Sequence, residues 1–138
     1  MRDDPRAHLG AMPSRPSITI ALDAGGTVLK AALLVNGQLI PGSFRTQPAN
    51  AQDSAVKIIE GFAAVCHELL TDYDSTCRKL DDRDRVRIGL AVPGPFDYRE
   101  GIALLKDVGK YESLYGCRSV TCSARSSGFW ARVKQISC

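Results

Sequence analysis

A short polar stretch near the start of the chain has the residue types of an anion-binding turn. Asp23, Gly25, Gly26 and Thr27 lie between two apolar runs, and Lys30 follows. Adjacent glycines permit positive φ angles and a close approach of a ligand to the backbone, and such a turn can direct several N–H groups at an anion such as phosphate. Asp23 could hold Mg²⁺, directly or through water, because hard cations prefer oxygen ligands. The same residues would also suit a tight hairpin whose glycines serve geometry alone.

The apolar runs on either side of this turn predict two β-strands. Residues 18–22 are apolar and β-branched, and residues 28–35 are apolar except for one lysine. The Asn36-Gly37 pair is a strong two-residue turn signal, so a third strand is expected near residues 38–45. A Pro-Gly pair inside that third run predicts a bulge or an edge position. Three antiparallel strands in succession would form a meander.

A helix should follow the meander, from residue 51 to about residue 72. Asn50 is the predicted N-cap, and Asp53 would favour the positive end of the helix. Apolar residues at steps of three and four predict one buried face that packs on the sheet: Ala55, Ile59, Phe62, Ala63, Cys66, Leu69 and Leu70. Cys66 is therefore expected to be a small core residue. Five cysteines without a C-x-x-C pair favour neither a zinc site nor a disulfide framework.

Residues 86–92 contain a second informative pattern. Alternating apolar residues predict a buried strand, which continues into Pro93-Gly94-Pro95. The φ angle is restricted at both prolines and free at the glycine, and rigid loops at strand ends often line ligand sites. A turn into a hairpin is a compatible interpretation, because residues 101–105 predict a further strand.

Both patterns resemble known families. Residues 23–30, DAGGTVLK, are similar to the first phosphate motif, D-x-G-G-T-x-x-K, of the superfamily of actin, sugar kinases and heat-shock ATPases. Residues 87–102 resemble the strand and Pro-Gly-Pro loop of the ROK family (repressors, open reading frames and kinases). The resemblance covers about residues 17–116. It implies an α/β fold: an incomplete ribonuclease-H-like (actin-like ATPase) N-terminal lobe, with a mixed sheet, meander strands and a packing helix.

The resemblance also implies a function, that of a cytoplasmic, ATP-dependent hexose kinase of the glucokinase type. It implies ATP and Mg²⁺ as cofactors, a hexose as the other substrate, and a homo-oligomer for the full-length form. The residues that match the phosphate motif would contact the ATP phosphates: Asp23, Gly25, Gly26, Thr27 and Lys30. Asp23 would also be the metal-placing residue, and Gly94 would lie on the sugar side.

Other features of the family pattern are missing from the sequence. The family's catalytic base is the Asp of an Asn-Asp pair, and no such pair occurs in the 138 residues. No catalytic residue is therefore assigned, and the chain is expected to be inactive by itself. Three alternatives remain open: a fragment of a sugar-binding ROK regulator, a pantothenate-kinase-like member of the superfamily, and a remnant without activity.

The two ends of the chain differ in composition from the middle. Residues 1–16 lack the apolar stretch of a signal peptide and are expected to form a disordered arm. Residues 117–138 hold four of the 18 basic residues and none of the 15 acidic ones. Four charges without a motif indicate no nucleic-acid partner, and no apolar run has the length of a membrane span.

The atypical tail has a further explanation at the level of the genetic code. The code permits residues 117–128 to be read one nucleotide out of frame as VPLRDLLRKELG, an amphipathic pattern typical of a helix. A helix is what the resemblance predicts after Gly116. Our hypothesis is therefore a frameshift near this residue, which sequencing of the underlying DNA would test.

Overall fold

The computed structural model describes residues 15–97, 99–126 and 129–137, and beyond Arg118 it describes the backbone only. The predicted disordered arm, residues 1–16, lies almost entirely outside the described residues. None of the helices within the described ranges has both the length and the apolar character needed to cross a membrane.

The predicted hairpin is present. Strand β1 (Ile18–Ala24) pairs antiparallel with β2 (Val28–Val35) along its whole length. Asn36 and Gly37 have φ angles of 52° and 78°, as a two-residue hairpin turn of type I′ requires. The chain therefore reverses direction a second time directly after β2, at the point that the Asn-Gly pair predicts.

The third strand expected over residues 38–45 is split in two. Strand β3 (Gln38–Leu39) pairs with one end of β2, and β4 (Arg45–Pro48) pairs antiparallel with the other end. Gly42, with a φ of 76°, lies in the turn between them. The meander is confirmed, with an interruption at the predicted Pro-Gly pair.

The helix α1 (Ala55–Thr76) begins and ends about four residues later than predicted. Ser54 is the N-cap: its backbone is extended, and its side chain accepts a hydrogen bond from the Lys57 N–H. The prediction that Asn50 caps the helix is wrong. Asn50 has a φ of 49°, and its carbonyl accepts the N–H of Asp53 in a separate turn, whereas an N-cap requires an extended backbone.

The main hydrophobic core lies between α1 and one face of the hairpin. The helix buries Ile58, Phe62, Val65, Cys66, Leu69, Leu70 and Tyr73. The strands contribute Ile18, Ile20, Leu22, Leu29, Ala31 and Leu33. The predicted buried face is correct for Phe62, Cys66, Leu69 and Leu70. Ala63 is exposed, because the buried face of the helix includes Val65 instead.

The three cysteines with described side chains, Cys66, Cys77 and Cys117, differ in their chemical state. Cys66 is buried as predicted, and burial raises the pKa of its thiol to about 12, so it remains protonated and unreactive at neutral pH. Cys66 and Cys77 are free, whereas Cys117 is disulfide-bonded. The sequence predicts no disulfide framework, and the single bond at Cys117 is one that no pattern in the sequence indicated.

Strand β5 (Val86–Ala91) runs parallel to β1, with Val86 beside Ile18. Burial falls along the strand: Val86 is fully buried, Ile88 is half-buried and Leu90 is 36% exposed. The predicted strand is confirmed, but only Val86 at its beginning is fully buried.

The remaining strands complete one mixed sheet. The short strands β6 (Phe96–Asp97) and β7 (Ile102–Ala103) form the hairpin predicted after the Pro-Gly-Pro loop. Strands β8 (Arg118–Ser126) and β9 (Phe129–Ser137) form a second hairpin, in a tail for which the sequence predicts no element. Within the described residues the strand order is β3-β2-β1-β5-β9-β8-β7-β6, with β4 also on β2.

Candidate functional site

The polar residues of the phosphate-like motif lie at one end of the β1–β2 hairpin. Asp23 on β1 is directly opposite Lys30 on β2. Both residues are exposed, and both belong to the sheet face opposite α1, because their neighbours in the strands point into the core. Thr27 is also exposed. The fold therefore brings one carboxylate, one ammonium and one hydroxyl to the same solvent-facing corner.

The Pro-Gly-Pro loop lies at the same edge of the sheet. Strands β1 and β5 are parallel, and Asp23 is beside Ala91, the last residue of β5. The loop that contains Gly94 follows directly, and Gly94 is exposed. Ligands of α/β sheets commonly bind outside the carboxyl ends of parallel strands. Asp23 and the Pro-Gly-Pro loop therefore lie at the same edge of the sheet, outside the carboxyl ends of β1 and β5.

The charged groups of this corner have no partners among the described residues. Neither Asp23 nor Lys30 takes part in an ion pair there. Surface charges of opposite sign attract only weakly across a hairpin in water. Both groups therefore remain available to a ligand.

The glycine turn, residues 25–27, is closed by its own backbone. The Gly25 N–H donates to the carbonyls of Asp23, at 3.2 Å, and Val28, at 3.1 Å. A Cβ on Gly25 would lie 2.7 Å from the Val28 carbonyl oxygen, which is too close for any other residue. The sequence predicts that the amides of this turn face an anion. The Gly25 amide is not available for that role, because it already donates to carbonyls of the turn itself.

Two amides of the glycine turn remain for an anion. The N–H groups of Gly26 and Thr27 have no hydrogen-bond acceptor within the described part of the chain. Unbonded, adjacent N–H groups in a turn form the kind of concave donor that binds phosphate oxygens. The turn therefore leaves two N–H groups for an anion, fewer than the motif alone suggests.

A loop that the sequence did not connect with the site packs against the glycine turn. The Tyr111 hydroxyl donates to the Gly25 carbonyl at 2.6 Å, and the side chain is fully buried beside Phe62. Burial, and next the negative charge of Asp23, raise the pKa of the Tyr111 phenol, so the hydroxyl remains a donor at neutral pH. Tyr111 therefore connects the glycine turn to the hydrophobic core beside Phe62.

Lys110, the neighbour of Tyr111 in the sequence, lies against Gly26 of the glycine turn. Its Cδ is 3.0 Å, and its Nζ 3.6 Å, from the position that a Cβ on Gly26 would occupy. Sequence reasoning missed Lys110 and Tyr111 because residues 106–116 have no periodicity and no motif. Two tyrosines in a polar loop were the only signal that the segment packs against something.

Mg²⁺ fits this corner only together with a ligand. Among the described residues no cluster of three or more His, Cys, Asp or Glu side chains could hold a metal ion. Mg²⁺ commonly keeps several waters and is bound by one or two carboxylates plus substrate phosphates. The single free carboxylate of Asp23 beside an anion-binding turn suits that mode and does not suit a resident structural metal.

Comparisons with known proteins bear on the fold. No protein-family model and no curated protein matches the chain. The structure is similar to a glucokinase from Parabacteroides distasonis ATCC 8503, with 25% identity, 75% of this chain covered and a TM-score of 0.50. It is also similar to a ROK hexokinase from Thermus thermophilus, with 24% identity, 64% of this chain covered and a TM-score of 0.47.

The chain spans about a quarter of the length of these solved structures, 26% in each case. The likeness to the glucokinase confirms the expected fold class: a mixed α/β sheet with meander strands and a packing helix, as in sugar kinases of the actin-like ATPase fold. This chain therefore corresponds to one part of these longer proteins.

Proposed function

We propose that this chain is the nucleotide-phosphate-binding part of an ATP-dependent hexose kinase of the ROK type. The observation that carries the proposal is the corner formed by the glycine turn, where Asp23 and Lys30 are exposed, opposite each other and without ion-pair partners among the described residues. The similarity to a glucokinase supports the same conclusion.

Each residue of the corner has a role in this proposal. The N–H groups of Gly26 and Thr27 and the ammonium of Lys30 contact the ATP phosphates. Asp23 holds Mg²⁺, which neutralises charge on the phosphates. Enzymatic phosphoryl transfer depends mainly on positioning and on charge stabilisation, and these are what the corner can supply. Gly94, at the same sheet edge, faces the hexose whose hydroxyl accepts the γ-phosphate.

Residues 17–116 are the proposed kinase lobe, and residues 117–138 a tail of different origin. The Asn-Asp pair that supplies the family's catalytic base is missing from these residues. In a two-lobed kinase the base would therefore come from a part of the protein outside them. The 138-residue chain is therefore expected to bind MgATP but not to phosphorylate glucose. A coupled assay of ADP release is the measurement, and turnover above background would contradict this part of the proposal.

Asp23→Asn tests the metal-placing role. We expect the variant to weaken MgATP binding about tenfold, the effect of removing one charge-assisted ligand, while binding of ATP without Mg²⁺ changes little. Isothermal titration calorimetry, with and without Mg²⁺, measures both constants.

Asp82→Asn is the matched control, because Asp82 is exposed and belongs to the charged loop before β5. This variant should bind MgATP as the wild type does. An equal affinity of Asp23→Asn and wild type for MgATP would remove Asp23 from the site.

A further inference from the structure

A lysine outside the phosphate-like motif lies against the glycine turn. We propose that Lys110 is a phosphate-contacting residue of the nucleotide site, with its ammonium directed at the phosphates that the Gly26 and Thr27 amides bind. The stem of Lys110 crosses Gly26, with Cδ 3.0 Å from the position of a hypothetical Cβ. This inference rests on the proposed function and extends it to a residue that the motif does not contain.

The position of Lys110 is held on both sides. The Gly109 carbonyl accepts a hydrogen bond from the Gln52 side chain, and its N–H donates to the Glu112 carboxylate at 2.8 Å. On the other side, the Tyr111 N–H donates to the Ala51 carbonyl at 2.6 Å. The backbone around Lys110 is therefore attached to the segment before α1, which holds the start of the Lys110 side chain beside the glycine turn.

The absence of a side chain at residue 26 permits the close approach of the Lys110 stem to the turn. The Cβ of any other residue would lie 3.0 Å from Cδ and 3.6 Å from Nζ of Lys110, tighter than ordinary van der Waals distance to the stem. Gly26 has no positive φ that would require glycine. The absent side chain thus leaves room for a lysine on the turn.

The charges of the corner favour a polyphosphate. Lys110, like Lys30, has no ion-pair partner among the residues with described side chains. The nearby carboxylate of Glu112 is directed at the Gly109 N–H. The ammonium groups of Lys30 and Lys110 are thus both available to a ligand, and two cations suit the multiple negative charges of a nucleoside triphosphate.

A purely structural role would make a different prediction. Lysine stems often cover apolar or backbone surface while the ammonium remains in water. Lys110→Met retains a stem of similar length and removes the charge. If Lys110 only covers the backbone of the turn, this variant should preserve both the fold and the binding of phosphates. Lys110→Arg retains the charge and should preserve binding if the charge matters.

The test measures ligand affinity of the 138-residue chain by isothermal titration calorimetry, with MgATP, inorganic tripolyphosphate and adenosine as probes. We expect Lys110→Met to weaken MgATP and tripolyphosphate about tenfold, with Lys110→Arg close to wild type. Lys106→Met, in an exposed position of the same loop, is the matched control and should bind normally. Thermal unfolding of each variant verifies that the fold is retained.

The outcomes separate this inference from the proposed function. Wild-type binding that Lys110→Met leaves unchanged would overturn the role of Lys110 and leave the nucleotide site standing. Binding of tripolyphosphate that depends on Lys110, without a gain from the adenosine part, would support the phosphate contact but contradict an ATP site. A wild-type chain that binds neither MgATP nor tripolyphosphate would overturn both.

Gly26→Ala gives an independent test of the same contact. The added methyl group should displace the Lys110 stem and weaken tripolyphosphate several-fold. In a Lys110→Met background the same substitution should have little further effect, because residues in contact show non-additive changes. Additive effects in the double variant would show that residues 26 and 110 act separately and would contradict the proposal.

Discussion

Replacing Tyr111 by alanine is expected to lower the free energy of unfolding by about 3–5 kcal/mol, the usual cost of deleting a buried aromatic side chain. Tyr111 is fully buried and packs near Phe62, with ring centroids 6.4 Å apart. It is also the hydrogen-bond donor to the Gly25 carbonyl. Its loss would leave a cavity between α1 and the glycine turn. Urea unfolding followed by circular dichroism measures the effect.

Two further variants separate packing from hydrogen bonding. Tyr111→Phe keeps the ring and should cost only about 1 kcal/mol, the typical net value of one hydrogen bond. Tyr115→Ala is the matched control, because Tyr115 lies in the same loop with 55% of its surface exposed, and it should change stability by less than about 0.5 kcal/mol. A similar loss for Tyr111→Ala and Tyr115→Ala would show that the loop does not pack as described.

The second large effect is expected from Gly25→Ala, which should abolish measurable MgATP binding. The new Cβ would lie 2.7 Å from the Val28 carbonyl oxygen, so the turn has to open and the Gly25 N–H loses its bonds. Overpacking of this kind typically costs about 1–3 kcal/mol of stability. The opened turn would also misplace the amides of Gly26 and Thr27, and binding depends on their position.

Gly89→Ala is the matched control for Gly25→Ala. Gly89 lies in β5, and a Cβ there would meet no atom within 4 Å. This variant should retain both stability and MgATP affinity, since glycine in a strand interior is not favoured for its own sake. Titration calorimetry and urea unfolding measure both quantities. If Gly25→Ala bound MgATP with wild-type affinity, the geometry of the turn would be irrelevant to the site.

Most of the strand framework was predictable from local sequence patterns. The β1–β2 hairpin follows from two apolar runs on either side of a Gly-Gly turn, and the next reversal follows from the Asn36-Gly37 pair, both of whose φ angles are positive. The helix was predictable from apolar residues at steps of three and four. These signals are reliable because period and turn chemistry act over a few neighbouring residues.

The bounds of the elements were less predictable because several local signals compete. Asn50 and Ser54 are both acceptable N-cap residues, and the sequence offers no means to rank them. The left-handed backbone of Asn50 excludes it as the cap and leaves the helix to begin after Ser54. The tail shows the same limit. Its two strands join the sheet beside β5, although the sequence of the tail has no alternation of apolar and polar residues that predicts a strand.

For the candidate site, the sequence by itself determined the types of the groups: the carboxylate of Asp23, the glycine turn and the ammonium of Lys30. Only the tertiary structure decided which of them remain available, because the Gly25 amide is used to close the turn. It also added Lys110 and Tyr111, from a loop far along the chain. Contacts between distant segments depend on how the core packs, and no local pattern records them.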